Sequence, residues 1–325
     1  MERQLLPVNA LIALCSTGDV YPAPLADAGY HLSGVEVPVV VGNGKVVVDA
    51  VFFRPDHNLI LAGEAKSGAN VDEAQARRYG QLDSDSVVLA AAITIREAGD
   101  RYLQPLYVCL VENLSRVLQG LDKADLACPV LAIGDDRIEH HGAAFLDDQI
   151  QAAFSEPVIV PGPPPRIIPV DAASPDEAFD KLVLPALVAT LSHQRQQVSV
   201  PALAEQALPH LPVFGKAARK RLVAKVDAAA QRAAARDPAT FEYLVRTSTR
   251  DYAVIRFLRS PEEAARQGRT QVYQSIARAA GKLTWRRRAP GPDQMALFDL
   301  IEELQQADEA ADADEATNDE EPEGQ

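Results

Sequence analysis

The sequence predicts an α/β domain built on a mixed sheet flanked by helices, followed by a mainly helical domain and a disordered acidic tail. Three observations predict it. Strand-like and helix-like runs alternate through residues 1–155, prolines crowd residues 157–169, and residues 289–325 hold no Lys or Arg. Interleaved strands and helices favour a sheet covered by helices, and 325 residues suffice for two cores.

In order, residues 5–15 read as a helix. Residues 37–41 and 45–53 read as a hairpin around Gly42-Asn43-Gly44, with Asn-Gly supplying positive dihedrals. Residues 59–66 are a third strand after the turn-forming Pro55-Asp56-His57-Asn58. Further strands are expected at 86–95, 106–112 and 129–133, with helices at 71–82 and 114–121. This domain ends near residue 155, and residues 156–173 form a stiff proline-rich linker.

Two acids and an amine stand out in the second and third strands. If Arg54 faces Leu59 across the loop of Pro55 to Asn58, Asp49 falls opposite Glu64 amid Val and Phe. Like charges directly opposite destabilise a strand pair, so a cation held between them is the natural counterpart. Lys66 lies two residues beyond Glu64 and points to the same face. A plainer reading takes Glu64 and Lys66 as a surface pair and Asp49 as an acid bonded to backbone. It explains less well why the acids sit among apolar residues, because unpaired buried charge is expensive.

Asp49 followed by Glu64-Ala65-Lys66 resembles the core of the PD-(D/E)xK nuclease superfamily, and Gln75-Ala76-Arg77-Arg78-Tyr79 resembles the Q-x-x-x-Y element of its exonuclease-like branch. Asn70 is the expected cap of the helix that carries Gln75 and Tyr79 on one face. The resemblance implies a restriction-endonuclease-like sheet and hydrolysis of phosphodiester bonds. It implies Mg²⁺ or Mn²⁺ held by Asp49, Glu64 and the Ala65 carbonyl, with Lys66 on the attacking water or the phosphate. Gln75 and Tyr79 would position substrate, with Arg77 or Arg78 on phosphate. Val48 stands where the motif name has Pro. None of the acids ahead of Asp49 (Glu2, Asp19, Asp27, Glu36) is assigned to the site.

The net charge of −14 speaks against nucleic acid until it is divided along the chain. Residues 1–213 carry net −13, residues 214–288 net +12 and residues 289–325 net −13. A basic block inside an acidic chain suits a DNA-contacting module. Within residues 174–288, Ser174-Pro175-Asp176-Glu177 opens a helix, with Ser as cap and Glu closing the box, and Ser260-Pro261-Glu262-Glu263 repeats the device. Helices to about 193, at 201–208 and at 216–236 follow, with a short extended run at 198–200. Residues 241–245 and 252–257 then alternate like strands. That order resembles a winged helix-turn-helix. It puts Lys216, Arg219, Lys220, Arg221 and Lys225 on the recognition helix, and Arg246 and Arg250 at the wing. A helical domain with a solvated basic face is the plainer alternative.

Gln294-Met295-Ala296-Leu297-Phe298 resembles the peptide by which bacterial DNA enzymes dock on the sliding clamp. Leu297 and Phe298 would fill an apolar groove while Gln294 fixes orientation by hydrogen bonds, with Met295 as the aliphatic residue of the partner-binding peptide. Alternatively, the segment is a short amphipathic helix folded on the second domain. Cys15, Cys109 and Cys128 are sparse and unpaired in spacing, which suits a reducing cytoplasm. No apolar run is long enough for a membrane span and the opening residues do not form a signal peptide. His140-His141 reads as a pair on an exposed turn. The chain has no nucleotide-binding loop, so an ATP-driven step would need an ATPase or helicase partner. The expectation is a metal-dependent deoxyribonuclease in repair, restriction or defence. The alternative is an inactive DNA-binding regulator on a nuclease-like scaffold.

Overall fold

A computed structural model describes residues 5–17, 21–42, 44–95, 99–193, 195–245 and 252–258. The described residues lie in one compact unit spanning Met1–Ala264.

Helix α1 (Leu6–Ala13) and the short α2 (Pro24–Asp27) lead into β1 (His31–Val41) and β2 (Gly44–Arg54). These strands form an antiparallel hairpin closed between Val41 and Gly44, with Gly42 at φ +54. A 3-10 turn, Pro55–His57, and Asn58 at φ +50 bring the chain back into β3 (Leu59–Lys66). Pro fixes the first turn residue and Asn accepts the left-handed one. Helices α3 (Glu73–Tyr79) and α4 (Ser84–Ala90) then cross to β4 (Tyr102–Leu110). Helix α5 (Leu114–Lys123) crosses to β5 (Pro129–Ile133), after which β6 (Arg137–Gly142), α6 (Asp148–Ala153) and β7 (Val158–Ile159) follow.

The seven strands are ordered as in sequence. The two outer pairs at each end are antiparallel, and β3–β4 and β4–β5 are parallel. The sheet is therefore mixed, with helices on its faces. Residues Leu106 to Leu110 are buried on both faces, which suits parallel strands covered by helices. One face packs on α1 through Leu11, Phe52 and Leu61, and the other packs on α3 and α5 through Tyr79, Val117 and Leu121.

Four local expectations are corrected. Residues 86–95 were expected to be a strand, but Ser84–Ala90 is helical. The Asp83 carboxylate accepts the Ser86 N–H at 2.8 Å and Asp85 sits in the first turn, so the cap outweighs the β-branched Val87-Val88 pair. Helix α3 is capped by Asp72, not Asn70. Asp72 accepts from the Ala74 and Gln75 amides at 2.9 and 3.0 Å, because the helix starts later than expected. Ser174 does not cap the next helix. Pro175 occupies that position, and the Ser174 hydroxyl instead donates to Asp171 at 2.7 Å. His140 and His141 lie within β6 and are half-buried, with the His140 ring against Phe145, because pairing with β5 continues to Pro129↔Gly142.

The proline-rich segment is buried at Val160, Pro164, Ile168 and Val170. The Asn9 side chain, buried in α1, donates to the Ile168 carbonyl at 3.0 Å and accepts its N–H at 2.6 Å. Beyond it come α7 (Asp176–Ser192), β8 (Gln197–Ser199), α8 (Val200–Ala207), α9 (Lys216–Arg236), β9 (Phe241–Leu244) and β10 (Val254–Phe257). The last strands and β8 form an antiparallel sheet in the order β8-β10-β9. Phe179, Leu203, Leu222 and Ile255 fill this part's core, which continues into Ile12 and Val35. Residues 246–251 and 259–325 lie outside the described residues. Arg246, Arg250, the Ser260 helix start, the pentapeptide Gln294, Met295, Leu297 and Phe298, and the acidic tail all fall there.

No described helix is long and apolar enough to cross a membrane.

Candidate functional site

The β2–β3 register runs from Arg54↔Leu59 to Ala50↔Gly63, so Asp49 and Glu64 form the next position. There a side chain takes over from the ladder. Oδ2 of Asp49 accepts the Ala65 N–H at 2.7 Å. Glu64, only 3% exposed, is engaged on both oxygens. Its Oε1 meets the Lys66 ammonium at 2.6 Å and the Gln75 amide nitrogen at 2.9 Å. Its Oε2 accepts the Tyr79 hydroxyl at 2.6 Å. Gln75 closes the cluster by accepting from Lys66 at 3.1 Å. Asp49, Glu64, Lys66, Gln75 and Tyr79 are thus brought together, with Gln75 and Tyr79 one turn apart on α3.

This geometry depends on ordinary local rules. The Asp72 cap fixes where α3 begins, and its two N–H bonds, Gln75's first, hold the Asp72 carboxyl below the usual range. Tyr79 is fully buried edge-on to Tyr107, with ring centroids 5.7 Å apart. Tyr107 neighbours Glu64 in the β3–β4 ladder, and its own hydroxyl is buried without a hydrogen-bond partner among the described residues.

Asp49 is electrostatically uncomfortable. Burial first, and Glu64 second, push its carboxyl up to about 8, against the lowering effect of the Ala65 N–H and Lys66. One ammonium serves two acids, so near neutral pH Asp49 retains a proton. Burial and the Glu64 charge likewise drive the Tyr79 hydroxyl well above its ordinary range, so it stays a donor.

Sequence reasoning left Glu36 unassigned. It lies on β1 at the position facing Asp49, between the pairs Val35↔Ala50 and Val37↔Val48. Its backbone is left-handed, at φ +49. The alternation of faces reverses there. Val35 and Val37 join different cores, and so do Val48 and Ala50. The kink turns Glu36 and Asp49 into a shared cavity of about 260 Å³, also lined by Ala65, Ser67 and Asp171. Burial raises the Glu36 carboxyl; Arg221 opposes this and Asp171 adds to it. The signal was available, because extending the hairpin register one residue beyond Val37 sets Glu36 against Asp49.

The expected phosphate-binding residues are divided. Arg77 is exposed and paired with Glu73 at 3.1 Å. Arg78 is half-buried, with its Nε lacking a hydrogen-bond partner among the described residues. On α9, Lys216 and Lys220 are exposed and form no ion pair among the described residues. Arg219 donates to the Phe214 carbonyl at 3.2 Å and to the Pro212 carbonyl at 2.5 Å. Arg221 pairs with Glu36 at 3.0 Å and Lys225 with Asp176 at 2.9 Å. Among the described residues, no group of three or more His, Cys, Asp or Glu side chains is arranged to hold a metal ion.

Residues 4–124 match a family model described as the MJECL32 domain, a description that names no activity. No curated protein and no solved structure matches the chain.

Proposed function

We propose that the chain is a Mg²⁺- or Mn²⁺-dependent deoxyribonuclease. The observation that carries this reading is the convergence of Lys66, Gln75 and Tyr79 on Glu64, beside the buried Asp49. It matches the constellation for which the sequence resembles the PD-(D/E)xK superfamily.

The residues suit such an ion. Asp49, Glu64 and the Ala65 carbonyl are hard oxygen donors, and Mg²⁺ commonly takes only one or two carboxylates and keeps its waters. The raised Asp49 carboxyl is an acid that ionises readily only beside a cation. The ion would polarise the scissile phosphate and lower the pKa of a bound water. Lys66, half-buried and bonded to Glu64 and Gln75, is held in place to stabilise charge growing on the phosphate. Gln75 fixes the Glu64–Lys66 spacing from α3, and Tyr79 holds the second Glu64 oxygen.

The order α7, β8, α8, α9, β9, β10 and the sheet β8-β10-β9 support a winged-helix reading of the second part. Duplex DNA would then meet the exposed Lys216 and Lys220 on α9. The pentapeptide at 294–298 makes a bacterial sliding clamp a candidate partner, and an ATPase or helicase would supply any ATP-driven step. A reducing cytoplasm in a setting of repair, restriction or defence suits these features.

The test is cleavage of supercoiled and linear duplex with Mg²⁺ or Mn²⁺, compared with Glu64→Gln and Lys66→Ala. Each variant should lose on the order of 10²-fold or more in rate. Cleavage that is equal in wild type and both variants sinks the proposal. A second reading is favoured by one observation. Three donors already occupy Glu64, as in a scaffold that binds DNA without cutting. Salt-dependent duplex binding with no cleavage would select it.

A further inference from the structure

Helix α9 touches the acid-lined cavity through Glu36. The Gly215 N–H donates to the Val35 carbonyl at 2.7 Å, and a Cβ on Gly215 would come within 2.5 Å of the Glu36 carbonyl. The start of α9 is thereby seated on the kinked edge of the sheet. From that seat Arg221 reaches Oε2 of Glu36 at 3.0 Å, with its side chain 59% exposed. The pair is open to solvent on the arginine side, and such pairs are weak. The remaining basic residues on this face of α9 are held by a different element. Lys225, Arg232 and Arg236 pair with Asp176 and Asp180 of α7. Among the described residues, only Arg221 links the basic helix to the side chain facing Asp49.

We propose that Arg221 is exchanged between two anions: Glu36 holds it in the free protein, and a backbone phosphate of duplex DNA takes it when DNA lies along α9. The inference rests on the DNA-binding reading above and adds a regulatory contact to it. A phosphate offers the guanidinium two acceptor oxygens in matching geometry, and release of counterions from the duplex adds to the preference. The exchange strips Glu36 of its guanidinium beside Asp49 only while duplex is held, so the acid cavity gains charge in step with substrate.

The test uses the full chain in EDTA, so cleavage plays no part, and a fluorescent duplex read by anisotropy across a salt series. Glu36→Gln should tighten binding by roughly two- to fivefold, the strength of one exposed pair. Arg221→Gln should weaken binding and lower the salt slope by about 0.9. In the Arg221→Gln background, Glu36→Gln should have no further effect. Equal tightening by Glu36→Gln in both backgrounds would overturn the exchange, because it would report only the loss of a negative charge. No tightening in either background would overturn it as well. Failure of the wild type to bind duplex at low salt would sink the DNA-binding reading itself, and the exchange with it. Thermal melts of the variants confirm that each is folded.

Discussion

The hydroxyl of Tyr79 stands 2.6 Å from Oε2 of Glu64, and Oε1 of the same carboxylate is 2.6 Å from the Lys66 ammonium. A helix and a strand therefore share one buried carboxylate. Its second oxygen depends on a residue fifteen positions away in sequence.

Tyr79→Phe keeps the ring against Tyr107 and deletes the hydroxyl, which also lies 3.3 Å from the Val47 carbonyl. An oxygen of Glu64 is then buried with no partner from α3, which costs about 1–3 kcal/mol. Urea denaturation at pH 7 should show a lower midpoint with an unchanged slope.

The Asp49 carboxyl gives stability a recognisable pH dependence. Its folded pKa, about 8, lies above the ordinary 3.8, so the folded state holds a proton that the unfolded chain has released. Stability from this group is complete below the ordinary value and is lost as pH rises towards 8. Wild type should therefore lose urea midpoint between pH 5 and 8 relative to Asp49→Asn, which does not titrate there. A flat difference between the two across that range would contradict the assignment.

Asp147 joins two distant segments. It accepts from Arg54 at 2.7 Å and from the Gln149 and Ile150 amides at the start of α6. Burial would raise its carboxyl, but the Arg54 bond and those amides hold it below the usual range. Asp147→Ala leaves the Arg54 cation buried and uncaps α6, at a cost of about 3–5 kcal/mol. Chemical denaturation should show the loss, and Arg54→Met with Asp147→Leu should recover much of it.

At Gly215 a methyl group would press on the Glu36 carbonyl at 2.5 Å and on Pro38 at 3.1 Å. Gly215→Ala should cost about 1–3 kcal/mol. Hydrogen exchange of the residue 215 amide, now bonded to Val35, should speed up disproportionately.

Much of the site was legible because a tight turn fixes register. Once Arg54 faces Leu59, the alignment of Asp49 with Glu64 follows from counting, and the ladder has that register. The i, i+4 spacing of Gln75 and Tyr79 placed both on the face that meets Glu64. Glu36 was missed because, although the register sets it against Asp49, its turn into the cavity depends on a left-handed residue within a strand, which period-two reasoning assumes away. Helix α4 was misread because Val87-Val88-Leu89 looks like a strand, whereas the capping carboxylate of Asp83 decides the conformation. The pairing of Arg221 and Lys225 with acids was also invisible, since Glu36 and Asp176 are distant in sequence.

One of the two edge ribbons of the large sheet is β1, whose Val-rich far half includes Val40 at 65% exposure. An open ribbon of that kind invites a foreign strand to add on. Two features along its length discourage this. Pro38 has no amide hydrogen to offer, and the Val35 carbonyl is already occupied by Gly215. Seating α9 on this edge therefore also guards the folded chain against association strand by strand, whatever the acid cavity does.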